Sequence, residues 1–346
     1  MSRDTPNAEA KPKYDLGTYG GRLAYFYSTT SPLTLLASGQ QLDDAVAYAR
    51  GWDAKIKAAG KDGVWVDADT RDKYDKAKQL VNSSIHPDTG KPVPLPFRMS
   101  AFVPTNLLIC AGMLKPNPSL GSIIFWQWAN QTLNTSFGSA NAQVAVNFSN
   151  ANKSIEMSPQ EIGTAYVAAT VTSVGLAVGL TRLVPRLRVS AAAKNILSKL
   201  VPFAAVASAG VVNISCIRWK EMRDGVDVFQ IATDARGDET KTDLGKSPRA
   251  GQMAVMQSAA SRVLTNIPTL IIPPMVMTYL QHRGAFVGPR GHTLSNLTQL
   301  TLIGLSLGLF LPPAIAYFPQ RASVSTDKLE PQFHKYHEKV YFNKGL

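Results

Sequence analysis

LIGLSLGLFLPPAIAYF, from Leu302 to Phe318, carries no charged side chain and lies within a longer uncharged block, Thr293 to Gln320. A helix that crosses a bilayer needs about 20 mostly apolar residues, and this block supplies them. Three more blocks repeat the pattern: Ile162 to Thr181 between Glu161 and Arg182, Leu200 to Ile217 between Lys199 and Arg218, and Val263 to Gln281 beyond Arg262. The pattern predicts an all-α integral membrane protein. Met99 to Leu114 is shorter and holds Pro104 and Asn106, but beside four spans it reads as a fifth whose polar atoms face the bundle interior.

Averages alone would suggest a basic soluble enzyme: 346 residues, 45% hydrophobic, 17% charged, net charge +12. The charge is uneven, however, frequent before Arg98 and missing from the blocks above. A basic balance suits an anionic lipid surface or the negative side of a membrane potential. No dense Lys/Arg run is interleaved with aromatics, so nucleic acid is not an expected partner. Cys110 and Cys216 both sit in apolar stretches, which excludes a disulfide framework.

The expected organisation is a soluble helical region over residues 1–97, a transmembrane domain over 98–320 and a tail over 321–346. The spans fall near 99–114, 162–181, 200–217, 263–281 and 295–318. In the first region Leu42, Val46, Ala49, Trp52 and Ile56 share one helical face, and Tyr74, Ala77, Val81 and Ile85 another. Pro87 ends the second helix near Ile85. Residues 218–262 read as a charged loop, and the amide-rich stretch from Thr135 to Asn152 as a flexible one.

His86-Pro87-Asp88-Thr89-Gly90 has the composition of a tight turn, expected to act as a structural brace or a gate. Arg98 and Ser100 follow; the arginine is placed either to snorkel or to grip a carboxylate through its fork. Asn106, Asn213 and Gln299 lie inside spans, where an amide is costly unless it faces protein or water, and each reads either as a packing contact or as a ligand. Gln127, Asn130, Gln131 and Asn134 recur at helical spacing beside Trp126 and Trp128. A zwitterion needs acceptors for its ammonium and donors for its carboxylate, and amides offer both. Pro104, Pro268, Pro273 and Pro274 are candidate helix breaks, which free backbone carbonyls where a cavity satisfies them. No acidic residue lies inside a span, which speaks against a proton-coupled mechanism. No cofactor or metal site is expected, since His334 and His337 stand in a charged tail, and no nucleophile, acid and base converge.

Several of these segments resemble the sideroflexin family, in order along nearly the whole chain: YDLGTYGGRLAYF at Tyr14, HPDTG at His86, RMSAFVPTN at Arg98, FWQWANQ at Phe125, EIGTAYVAAT at Glu161, VPFAAVAS at Val201, SRVLTNIPTLIIPP at Ser261, FPQ at Phe318 and VYFNKGL at Val340. The resemblance implies a multi-pass protein of the mitochondrial inner membrane, imported without a cleaved presequence. It also implies transport of serine, and of alanine, glycine or cysteine, in support of one-carbon metabolism. The chain departs from the family pattern at Lys91, at Ser215 and around Thr30 to Leu33.

Two functions fit. One is a carrier that binds at mid-membrane between broken helices. The other is a non-transporting scaffold or assembly factor for respiratory or iron-sulfur machinery, docking through its soluble helices. Five spans place the termini on opposite sides, so tags fused at Met1 and at Leu346 should differ in protease access in sealed vesicles. Equal protection of both would leave an even number of crossings.

Overall fold

A computed structural model of the chain describes residues 13–59, 67–85, 92–140, 159–233, 239–317, 321–336 and 339–343. The chain divides into two compact units, Met1–Pro104 with Phe137–Ala145, and Thr105–Ser136 with Val146–Leu346.

In the first unit three helices form: α1 (Tyr19–Thr29), α2 (Gly39–Ala59) and α3 (Ala68–Ser84). Thr18 caps α1 by accepting from the Gly21 amide. Gly21 is required there, since a Cβ would stand 1.9 Å from the Asp15 carbonyl oxygen. Leu42, Ala49 and Ala77 are buried, as the helical periodicity predicts. Tyr74 and Lys78 of α3 both hold Asp53 of α2, at 2.6 and 3.0 Å, and Gln79 donates to the Ser28 carbonyl at 2.7 Å. Asp67 caps α3, which ends at Ser84. Ile85 then pairs with Pro92 in an antiparallel bridge. The His86–Gly90 motif lies outside the described residues.

The second unit is mostly helical. Among the described residues four stretches are long and apolar enough to cross a membrane: Gly163–Arg186, Ala191–Ile217, Pro248–His282 and Gly291–Ala316. They comprise α6 (Pro159–Leu183), α7 (Ala191–Ile217), α9 (Pro248–Leu270) with α10 (Ile272–His282), and α11 (Gly291–Leu305) with α12 (Leu311–Ala316). Their burial pattern is inverted relative to a soluble protein. Ala165, Ala169, Ala177, Ala205 and Ala209 are fully buried, while Val167, Val171, Leu297 and Leu309 are exposed. Small residues let helix backbones approach in a solvent as apolar as leucine, and the large side chains face the lipid. An ion pair at 2.8 Å between Glu161, at the start of α6, and Lys220, just past α7, fixes the two helices antiparallel.

Two shorter helices precede these, α4 (Phe102–Met113) and α5 (Leu120–Ala140). The segment read as a first span, 99–114, starts as a 3₁₀ turn over Met99–Ala101, and α4 itself has 12 residues. At 1.5 Å per residue it is about 18 Å long, short of the roughly 30 Å hydrocarbon core. Pro104 does not break it: the residue is third in the helix, where no amide partner is lost. The expected loop from Thr135 begins later, because α5 runs on to Ala140.

The interior prolines of the Pro248–His282 stretch flank one helix junction. Pro268 lies inside α9, Ile271 forms the junction, and buried Pro273 and Pro274 open α10. Between α11 and α12 the chain forms a π-turn over Ser306–Phe310, ahead of Pro312 and Pro313.

A four-stranded sheet was not legible in the sequence and corrects two readings. The expected charged loop holds α8 (Trp219–Asp224), β1 (Val226–Thr233), β2 (Glu239–Ser247) and the first half of α9. The expected tail supplies β3 (Arg321–Val324) and β4 (Val340–Asn343). The order is β2-β1-β4-β3, with antiparallel pairing throughout. Val226, Val228, Ala250, Ala254, Leu329, Phe333, Val340 and Phe342 form its core. β3 and β4 have four residues each and β2 is largely polar, so the alternation that would reveal the sheet is weak.

Glu330 locks this lobe to α9, accepting from the Ser247 hydroxyl at 2.6 Å and the Arg249 amide at 2.9 Å. A carboxylate at a helix N-terminus also meets the positive end of the helix dipole. Burial pushes the Glu330 carboxyl up, but these hydrogen bonds outweigh it and hold it below its ordinary value of 4.5. A depressed carboxyl contributes stability at neutral pH that is lost as the pH falls through and below that value. Hydrogen-exchange protection of β1 and β4 should therefore weaken on acidification below about pH 4.5. Glu330→Gln should be less protected at neutral pH and lose most of that acid step; an unchanged step would discard this assignment.

Candidate functional site

The amides of α5 owe their place to a glycine. A Cβ on Gly112 of α4 would stand 2.0 Å from the Trp126 ring, so the indole lies directly on the α4 backbone. With Trp126 held there, Ile124, Phe125 and Trp128 are exposed and Gln127, Asn130 and Gln131 are buried, each below 5% exposure. These three share the i, i+3, i+4 face expected of them.

Facing them, α6 presents Tyr166, Thr170 and Ser173, again at helical spacing. The Ser173 hydroxyl donates to Gln127 Oε1 at 2.6 Å and accepts from Gln131 Nε2 at 3.4 Å. Thr132 and Tyr166 share a hydroxyl–hydroxyl hydrogen bond of 2.9 Å. Two groups in this seam have no hydrogen-bond partner although they are buried: Asn130 Nδ2 and Thr170 Oγ1. A buried amide without a partner costs roughly 1–3 kcal/mol, more in lipid where no water competes. The seam thus offers a spare donor amide, a spare hydroxyl and two amide carbonyls, with no ionised group among them. Such a set suits a small neutral or zwitterionic molecule.

The remaining expected residues are dispersed. Asn106 is buried on α4 and Asn213 half-buried on α7, and neither takes part in the hydrogen bonds at Ser173. Asn134 belongs to α5, but its side chain lies outside the described residues. Arg98 Nε donates to the Val93 carbonyl at 2.9 Å, a bond within the first unit. Ser100 is fully buried there with its hydroxyl unpartnered. Gln299 proves structural: its amide donates to the Leu114 carbonyl at 2.8 Å and satisfies the open end of α4. His334 contacts the Leu329 carbonyl within the sheet lobe, and among the described residues no three His, Cys, Asp or Glu side chains lie together as metal ligands.

Sequence reading missed Tyr166, Thr170 and Ser173. The signal was present, since hydroxyls at i, i+4 and i+7 mark one face of the otherwise apolar α6. Hydroxyls in spans are common enough that only the facing amides make this stripe distinctive.

Comparison with known proteins bears on the same segments. A family model described as Sideroflexins matches residues 9–346. The chain is 41% identical to Sideroflexin fsf1 of Schizosaccharomyces pombe, over 96% of this chain and 97% of that protein. It is 43% identical to Sideroflexin FSF1 of Saccharomyces cerevisiae, over 96% of each. It is 34% identical to Sideroflexin-1 of Mus musculus, over 99% of this chain and 98% of that protein. No solved structure matches.

The two kinds of polar group in the seam predict opposite responses. Ser173→Ala strands both glutamines and should lower stability by about 1–3 kcal/mol, read as thermal melting in detergent. Asn130→Leu removes an unpaired amide and should leave the melting temperature equal or higher. A large loss in Asn130→Leu would mean that the amide is already satisfied.

Proposed function

The chain belongs to the sideroflexin family, and from that premise we propose that it carries a small neutral amino acid, L-serine first, with alanine, glycine or cysteine as alternatives, across the mitochondrial inner membrane, where imported serine feeds one-carbon metabolism. One observation carries the reading: the seam between α5 and α6 holds a buried amide and a buried hydroxyl, Asn130 Nδ2 and Thr170 Oγ1, with nothing to bond to. A scaffold has no use for them, and a lipid-facing bundle without a ligand is better off without them.

The chemistry follows from the groups present. The substrate carboxylate accepts from the Asn130 amide and the Thr170 hydroxyl. Its ammonium donates to amide carbonyls, and the serine hydroxyl competes for the bonds that Ser173 makes with Gln127 and Gln131. Within the seam no ionised side chain is needed, because the substrate carries both its charges. That the spans from Gly163 to Ala316 hold no Asp or Glu outside the α8–β2 segment favours exchange or uniport over proton coupling. Movement between outward- and inward-facing states falls to the interrupted helices, at Ile271 and at the π-turn of Ser306–Phe310, where the prolines that follow withhold backbone donors from the helical ladder. The family membership and this neutral seam together favour a carrier over an enzyme.

Purified protein in liposomes should take up radiolabelled L-serine saturably, with competition from alanine, glycine and cysteine. Asn130→Leu, and the combined replacement of Asn106, Asn130, Gln131 and Asn213, should reduce uptake at least about tenfold, the loss expected for one or more charge-assisted hydrogen bonds. Undiminished uptake by the combined variant would remove these residues from the site. No uptake by folded, inserted wild-type protein would return the chain to the scaffold reading.

A further inference from the structure

The cations of the second unit are not all partnered. Where α6 and α7 meet the charged belt, Lys220 pairs with Glu161, and Arg218 pairs with Glu221 at 2.5 and 2.8 Å while also donating to Ser258 of α9 at 2.8 Å. At the other end of α7, Lys199 donates to the Thr278 hydroxyl of α10. Arg262 differs: its Nε is buried with no hydrogen-bond partner, and no carboxylate pairs with it among the described residues. Its charged neighbour is Arg218, of the same sign.

Its depth follows from the packing. The Arg262 stem lies against Gly210 of α7, where an added Cβ would be 3.7 Å from the arginine Cβ and 4.0 Å from its Cδ. Gly210 is eight positions before Arg218 on α7, about 12 Å along that helix, and on α9 Arg262 lies one turn, about 6 Å, beyond the Ser258 that Arg218 reaches, so the half-buried stem sits inward of the charged belt. A guanidinium stays ionised at any accessible pH, and an unpaired one at that depth is costly. Below it, α9 continues polar toward its break: Thr265 and Asn266 both donate to the Arg262 carbonyl, and Thr269 is buried just before Ile271.

We infer that Arg262 is the docking cation for the substrate carboxylate, one helix away from the α5–α6 seam and at the head of a polar track along α9. The inference rests on the carrier reading and names a residue that the reading does not use. The planar fork suits a carboxylate bidentately, and the glycine beneath leaves room for the stem. An incoming amino acid supplies the anion that the protein withholds. Because its carboxylate is then held by Arg262, passage onward requires the exchange of that bond for the neutral donors of the seam.

The test compares L-serine with L-serinamide, which keeps the amine and hydroxyl but lacks the carboxylate. In wild-type protein L-serine should compete against radiolabelled L-serine at concentrations at least about tenfold lower than serinamide does. Arg262→Gln should raise the half-saturating serine concentration and shrink that gap to about threefold or less, with Arg262→Lys, which keeps the charge but loses the fork, in between. The gap is a ratio and does not depend on how much protein inserts. In wild-type protein, phenylglyoxal modification of Arg262, followed by mass spectrometry in liposomes of uncharged and, separately, of anionic lipid, should be slowed by L-serine in both and not by serinamide. A gap that survives in Arg262→Gln, or protection by anionic lipid headgroups and not by serine, overturns the inference. Absence of serine uptake by the wild type overturns the carrier reading instead.

Discussion

A buried guanidinium at the end of α7 decides how the second unit is assembled. Arg218 caps that helix, grips Glu221 of α8 and reaches Ser258 of α9, so one side chain fixes three elements. Removing one partner of such a buried pair costs about 3–5 kcal/mol, because the other charge is left uncompensated. The corner around it admits no alternative packing. A Cβ at Gly251 would fall 1.9 Å from the Glu221 carbonyl, and Gly225 turns at φ +87° with Ser247 against it. The sheet lobe is built on α9 from that corner outward.

The same corner marks a boundary between two solvents. On the sheet side, Phe333, Phe342 and Leu329 are buried and polar groups face outward, as the hydrophobic effect requires in water. On the bundle side the order reverses, with alanines inside and valines and leucines outside. Helix association there depends on close packing and on interhelical hydrogen bonds, since lipid offers no hydrophobic penalty to large exposed side chains. Against that background a buried amide stands out, because it is neither needed for collapse nor solvated.

Polar groups in the bundle therefore divide by whether the protein satisfies them. Gln299 closes the end of α4, Lys199 meets Thr278, and Ser173 bridges two glutamines. Those interactions hold the bundle together. Asn130, Thr170 and Arg262 are left over: a neutral donor, a hydroxyl and a cation, within one set of packed helices. Those three are the groups on which the proposed carriage of an amino acid draws.

The sequence by itself determined the helical class, the membrane and the four long spans, because a run without charge has few other uses and because helical spacing survives any tertiary context. It also identified Gln127, Asn130 and Gln131 as one face of α5, and the proline-marked junction before Pro273. It could not reveal the sheet, whose first two strands end at Ser247 and whose last two begin only at Arg321, with β3 and β4 four residues each. Nor could it separate Gln299, which caps a helix, from Asn130, whose amide nitrogen has no partner, since the two are the same chemistry until their neighbours are known. The hydroxyl stripe of α6 is present in the sequence but gains meaning only from the amides that face it, and the isolation of Arg262 was invisible for the same reason. Whether a polar group is satisfied depends on residues distant in sequence, and only the packed structure brings those within hydrogen-bonding distance.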